Sequence, residues 1–164
     1  MKGFDLVFFR HGIAEPTVTP DRDRHLTEDG IRKTRAAAEG LRKLGIEFDG
    51  ILTSPWLRAT QTASILSEVL MAPAPETLQE LAGDHTVREL LEALALRLGR
   101  SLLLVGHQPL LGDAVAQLLG AAGKCEIDLR KSGACAIHVD AIPPRSPAVL
   151  QWLLTSKQLR AIGK

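Results

Sequence analysis

The 164-residue sequence predicts an α/β fold, a three-layer sandwich with a mostly parallel central sheet flanked by helices. Two observations predict it. Short apolar runs alternate with longer segments of helical period, the pattern of successive βα units. Capping residues and prolines also recur where one element should stop and the next begin. With 45% hydrophobic residues, a chain of this length suits one domain over residues 1–164.

Leu6 to Phe9 reads as the first strand. Thr27 can cap a helix running to about Leu44, with Glu28 and Asp29 at its positive end and Gly45 ending it. Phe48 to Thr53 returns as a strand. Ser54 at the N-cap and Pro55 at the first helical position start a helix through about Leu70, which Pro73 and Pro75 prevent from extending. Val87, Leu90, Leu91, Leu94 and Leu98 share a helical face before Gly99, and Leu102 to Val105, the most apolar run, is expected at the centre of the sheet. Pro109 opens another helix, whose stripe is Leu110, Leu111, Ala114, Val115, Leu118 and Leu119, up to Gly120. Beyond Gly123, the runs Glu126 to Leu129, Ala134 to Val139 and Val149 to Leu154 are predicted strands, the last two joined by the loop Pro143 to Pro147.

Twenty Lys and Arg against nineteen Asp and Glu give a net charge of +1, which offers no broad footprint for nucleic acid or an anionic membrane. No apolar stretch approaches membrane-spanning length, and the N-terminal run is too short for a signal peptide, so a soluble cytoplasmic protein is expected. Cys125 and Cys135 lack metal-ligand spacing and read as buried reduced thiols. No metal and no cofactor are expected. The acid-base run Asp21-Arg22-Asp23-Arg24 reads as a solvated loop, His25, His85 and His138 as loop or surface residues, and Trp56 as a packing or rim residue.

Chemistry concentrates at three strand ends. Arg10-His11-Gly12 follows the first strand, Ser54-Pro55-Trp56-Leu57-Arg58-Ala59-Thr60-Gln61-Thr62-Ala63 the second, and Gly106-His107-Gln108-Pro109 the most apolar one. Ligands of open α/β sheets bind beyond the carboxyl ends of strands, so these residues can converge on one crevice. A phosphoryl group carries about two negative charges on three oxygens, which the planar forks of Arg10 and Arg58 match. Gly12 and Gly106 allow close backbone approach, Gly12 at the phosphate itself. A neutral imidazole has a free lone pair for attack on phosphorus, and His11 is the better candidate nucleophile. His107 is suited to binding an equatorial oxygen and stabilising transition-state charge.

Together these motifs resemble the histidine phosphatase superfamily, and Leu26-Thr27-Glu28-Asp29-Gly30 matches its usual opening of the first helix. The resemblance implies a phosphoglycerate-mutase-like fold, a phosphorylated His11, a pocket of Arg10, Arg58 and His107, and no metal. Length, Arg24-His25-Leu26-Thr27 and Leu150-Gln151-Trp152-Leu153-Leu154 are most similar to SixA-type phosphohistidine phosphatases. His25 replaces a common Pro, and Gln108 a common Glu. Glu80 falls roughly where mutase-like relatives carry a catalytic acid; Asp84, in the Gly83-Asp84 pair, and Glu15 are weaker candidates. The expected substrate is a phosphorylated protein such as a histidine phosphotransfer domain of a phosphorelay, with phosphate ion as product. Alternatives are a small-molecule phosphomonoesterase or mutase and a noncatalytic phosphoprotein-binding module.

Overall fold

The computed structural model describes residues 3–97 and 100–164. Leu98 and Gly99, which end the helical stripe in the sequence reading, lie outside the described residues. Six strands, β1 (Phe4–Arg10), β2 (Gly50–Thr53), β3 (Glu76–Thr77), β4 (Ser101–Gly106), β5 (Ala134–Val139) and β6 (Val149–Leu154), form one sheet in the order β3-β2-β4-β1-β5-β6. The first four run parallel, and β5 and β6 are antiparallel additions beside β1. The helices are α1 (Glu28–Lys43), α2 (Leu57–Leu70), α3 (Val87–Leu94), α4 (Leu110–Leu118) and α5 (Ser156–Ile162). The predicted α/β sandwich is therefore the observed one.

Alternation along the strands makes two cores. Leu6, Phe8, Leu52, Leu102 and Leu104 face α3 and α4, while Val7, Phe9, Ile51, Leu103 and Val105 face α1, α2 and α5. β4 is buried on both faces between β2 and β1, as its unbroken apolar run predicts. Thr27 caps α1 by accepting the Gly30 amide at 2.9 Å, and Gly45, at φ +71°, follows its end. Among the described residues no helix is long and apolar enough to cross a membrane.

Three local expectations are corrected, and two elements are new. Glu126 to Leu129 is not a strand: the Leu129 carbonyl accepts from Arg10 Nη1 at 2.9 Å and the Ile127 carbonyl from Gln108 Nε2 at 2.9 Å. Side chains thus take carbonyls that a ladder would need. The second helix begins at Leu57 rather than Pro55, because Ser54 Oγ accepts the Trp56 amide at 3.2 Å and holds residues 54–56 in a turn. Cys125 is exposed, although Cys135 is buried as expected. The two-residue β3 and the short α5 were not expected.

α5 seals the α1 face. Its Leu159 is fully buried, and a Cβ added at Gly40 of α1 would collide with the Leu159 carbonyl. Alanine is worth about 1 kcal/mol over glycine in a free helix, but two backbones in contact cannot yield as a side chain does. Gly40→Ala is therefore expected to destabilise the fold by about 2 kcal/mol net, lowering Tm by roughly 4–8 °C in a thermal unfolding scan. An unchanged or raised Tm would mean that α5 is not fixed against α1.

Candidate active site

The register of β2, β4 and β1 sets the site. Thr53 and Phe9 both pair with Val105, and Arg10 pairs with Gly106. The pairing continues one residue further: the His11 amide donates to the Gly106 carbonyl at 3.0 Å and the Ser54 amide to the Val105 carbonyl at 2.9 Å. His11, Ser54 and His107 are thereby brought side by side at the carboxyl ends of three adjacent strands. Arg58 reaches them from the first turn of α2. All four expected residues come together there, with the imidazole centroids of His11 and His107 5.0 Å apart.

The hydrogen bonds fix the state of His11. Its Nδ1 lies 2.7 Å from the Gly12 carbonyl, which can only accept, so Nδ1 carries the proton. Arg58 Nε–H donates to Nε2 at 3.2 Å, so Nε2 holds an in-plane lone pair. Thr62 ties the two segments together, accepting the Gly12 amide at 3.0 Å and donating to the Arg58 carbonyl at 2.7 Å. A side chain at position 12 would strike Thr34 Oγ1, which is why glycine follows the histidine.

His107 Nε2 lies 2.7 Å from Ser54 Oγ, while its buried Nδ1 has no protein partner. If the serine hydroxyl donates to Nε2, Nδ1–H is left as a donor for an incoming oxygen. Arg10 gives Nη1 to the Leu129 carbonyl, and its buried Nε is likewise unpartnered. His11, Arg58 and His107 are only 5%, 4% and 3% exposed, so desolvation dominates their protonation. Burial first, then Arg58 and Arg10, lowers the His11 pKa to about 3 against the opposing Gly12 bond. Burial first, then His11 and the arginines, lowers His107 to about 2. Both rings are neutral at pH 7, and the site can present a lone pair, two guanidinium groups and an N–H to one anion.

A phosphohistidine phosphatase, SixA, of Escherichia coli strain K12 is 37% identical over 113 residues, covering 66% of this chain and 70% of that protein. The chain belongs to the histidine phosphatase superfamily. It is a hydrolase of that superfamily with SixA-like similarity, as its motifs imply. The family model "Histidine phosphatase superfamily (branch 1)" matches residues 6–86, which include Arg10, His11 and Arg58. An uncharacterised protein of Picosynechococcus sp. is 41% identical over 143 residues, 84% of this chain and 86% of its own. A solved structure of the protein histidine phosphatase SixA complexed with tungstate superposes with a TM-score of 0.86 at 27% identity, covering 95% of this chain and 99% of the other.

The histidine phosphatase site also holds residues that sequence reasoning missed. Asp21, assigned above to a solvated loop, accepts from Arg58 Nη2 at 2.9 Å through Oδ2 and from Nη1 at 2.8 Å through its carbonyl. Its other oxygen pairs with Arg24 Nε at 2.7 Å. The loop is solvated, yet its carboxylate bridges two arginines at the site. Trp56, read from the sequence as a packing or rim residue, packs its ring 4.6 Å from that of His107, and the Arg58 guanidinium carbon lies 4.8 Å over it. The lone charged pattern Asp-Arg-Asp-Arg gave no sign of these contacts.

Candidate acids separate. Glu80 lines a cavity of about 540 Å³ against α3, with His85, Glu89 and Glu92. Asp84 instead lines a cavity of about 510 Å³ with Trp56 and Gln79, and a Cβ on neighbouring Gly83 would meet both Trp56 and His107. Glu15 is exposed in the loop after β1, where its carbonyl accepts from Arg24. His25 is exposed and His85 lies 3.5 Å from Glu89, whereas His138, read as a loop or surface residue, is half-buried in β5, where it bonds Asp5 at 2.8 Å.

The depressed histidines make the fold acid-sensitive. Between the unfolded pKa near 6.5 and the folded values, the unfolded chain binds more protons, so stability falls as pH falls through that window. Each histidine contributes about 2 kcal/mol to the loss between pH 7 and 5. Urea unfolding at both pH values is expected to show His11→Asn losing about 2 kcal/mol less than wild type; equal losses would mean that His11 titrates normally.

Proposed function

We infer that this histidine phosphatase hydrolyses phosphohistidine carried on a protein, such as a histidine phosphotransfer domain of a phosphorelay, through a phospho-His11 intermediate. The observation that carries this reading is the neutral His11, its Nδ1 proton held by Gly12 and its Nε2 lone pair facing the cluster of Arg58 and His107. Nε2 attacks phosphorus as the donor's P–N bond breaks; the donor imidazole, already protonated by solvent on its other nitrogen, takes the electron pair and leaves neutral. Arg10, Arg58 and His107 balance the charge on the equatorial oxygens. Water then bonds to phosphorus, the P–Nε2 bond returns its pair to His11, and the water proton leaves with solvent as phosphate is released.

Imidazole leaves as a neutral group whose conjugate acid has a pKa of about 6.5, whereas an ester's alkoxide needs a strong proton donor. The position of Glu80 in the cavity against α3 favours the substrate that demands less acid. The E. coli relative is named a phosphohistidine phosphatase, in keeping with this. Asp84, beside the wall of Trp56, favours a second reading as a phosphomonoesterase or mutase, with Asp84 or Glu80 as acid. A cytoplasmic setting is part of the reading, in keeping with the free thiols of Cys125 and Cys135.

Metal-free protein incubated with a phosphohistidine-bearing phosphotransfer domain and, separately, with phosphate monoesters decides between them. Expected is fast phosphate release from the phosphoprotein, dependent on His11 and insensitive to Glu80→Gln. Preferred turnover of one ester, abolished by Glu80→Gln or Asp84→Asn, would replace the reading with the second. Binding of phosphoprotein without release of phosphate would replace both with a noncatalytic module.

A further inference from the structure

The turn between residues 130 and 133 packs against the nucleophile's own strand end. The Ser132 amide donates to the carbonyls of Arg10 at 3.0 Å and His11 at 3.3 Å. Ser132 has φ +55°, and the Gly133 amide closes the turn on the Arg130 carbonyl at 2.7 Å. The buried hydroxyls of Ser132 and Thr34, 2.8 Å apart, anchor it below. Lys131, immediately before Ser132, is thus carried to the rim of the site on an exposed residue with a fixed backbone.

Its charge environment is one-sided. Around His11 stand five cations, Arg10, Arg24, Arg58, Arg130 and Lys131, against two carboxylates, Asp21 and Asp128. Asp21 serves Arg24 and Arg58, and Asp128 pairs with Arg130 at 3.1 Å. The proton affinity of Lys131 is lowered by partial burial first and then by Arg10, Arg24 and Arg58, with no carboxylate raising it. A phosphoryl dianion supplies two negative charges, which leaves one positive charge unmatched. Among these cations Arg10 and Lys131 have no carboxylate partner within the described residues, and with Arg10 given to the phosphoryl group Lys131 is the one left over.

We propose that Lys131 is a specificity-determining residue that pairs with a carboxylate on the phosphorylated partner, next to the phosphoryl group held by Arg10 and Arg58. This rests on the phosphatase reading above and adds a feature of the partner: an acidic side chain flanking the phosphorylated histidine. A rim ion pair of this kind is sensitive to salt, whereas the buried arginine contacts are much less so.

The test uses two phosphohistidine peptides that differ only in carrying Glu or Gln beside the phosphorylated residue. Wild type is expected to show about tenfold higher kcat/KM on the Glu peptide at low salt, mainly through KM. Lys131→Met should abolish that ratio, and Lys131→Arg should keep most of it. A ratio unchanged in Lys131→Met, or already near one in wild type, overturns the proposal. An equal fall on both peptides also overturns it, since Lys131 would then act on the phosphoryl group. Binding of the same peptides to His11→Asn, with and without Lys131→Met, reads the preference without turnover. If wild type cleaves neither peptide, the phosphatase reading fails, while this binding ratio still decides the role of Lys131.

Discussion

His11→Ala is expected to lower phosphate release from a phosphohistidine protein by at least about 10⁴-fold, because it removes the lone pair proposed to form the covalent intermediate. Inorganic phosphate affinity should change only severalfold, since Arg10, Arg58 and His107 Nδ1 remain. The two results together carry the argument: loss of turnover with retained binding separates a nucleophile from a ligand-holding residue. Rapid-quench phosphorylation of the protein provides the direct readout, with label on wild type and none on His11→Ala. Residual activity within tenfold of wild type would end the phospho-His11 mechanism.

Arg58→Ala is expected to cost about 10³ in kcat/KM, in line with roughly 3–4 kcal/mol for a preorganised donor in a dry site. Its Nε–H faces His11 Nε2, its terminal nitrogens engage Asp21, and two N–H groups remain for a phosphoryl oxygen. Lysine offers a point charge that cannot hold these directions at once, so Arg58→Lys should recover no more than about tenfold. Folding should survive the change, because Asp21 is exposed and keeps Arg24 as partner. A fully active Arg58→Lys in steady-state assays would show that charge alone suffices there.

The parts legible in the sequence were those with local signals. β1 and β4 announced themselves as apolar runs, and α1 by Thr27, Glu28, Asp29 and Gly45. The convergence of Arg10, His11, Arg58 and His107 followed from placing each motif just past a strand. What was missed depends on partners distant in sequence. β3 has two residues and no periodicity to read. The α5 signal was present, as Thr155 and Gln158 form a capping box, but a seven-residue helix shows less than two turns of pattern. Residues 126–129 have strand-like composition, yet their carbonyls are claimed by Arg10 and Gln108, 119 and 19 residues away. Asp21 meets Arg58 across 37 residues, a pairing no local pattern specifies.

The sheet order has a consequence in time. β1 is paired on both sides, to β4 and β5, so its amides from Leu6 to Phe9 are expected to exchange with solvent hydrogen only when the sheet opens. The loop that brings Asp21 to Arg58 is exposed, with a three-residue 3₁₀ turn as its regular structure, and opens at far lower free energy. His11 is thus attached to a part of the sheet expected to open last, and the carboxylate that pairs with Arg58 to a loop expected to open early. The Asp21–Arg58 contact is therefore expected to open and re-form many times within the lifetime of a single folded state, while His11 keeps its place.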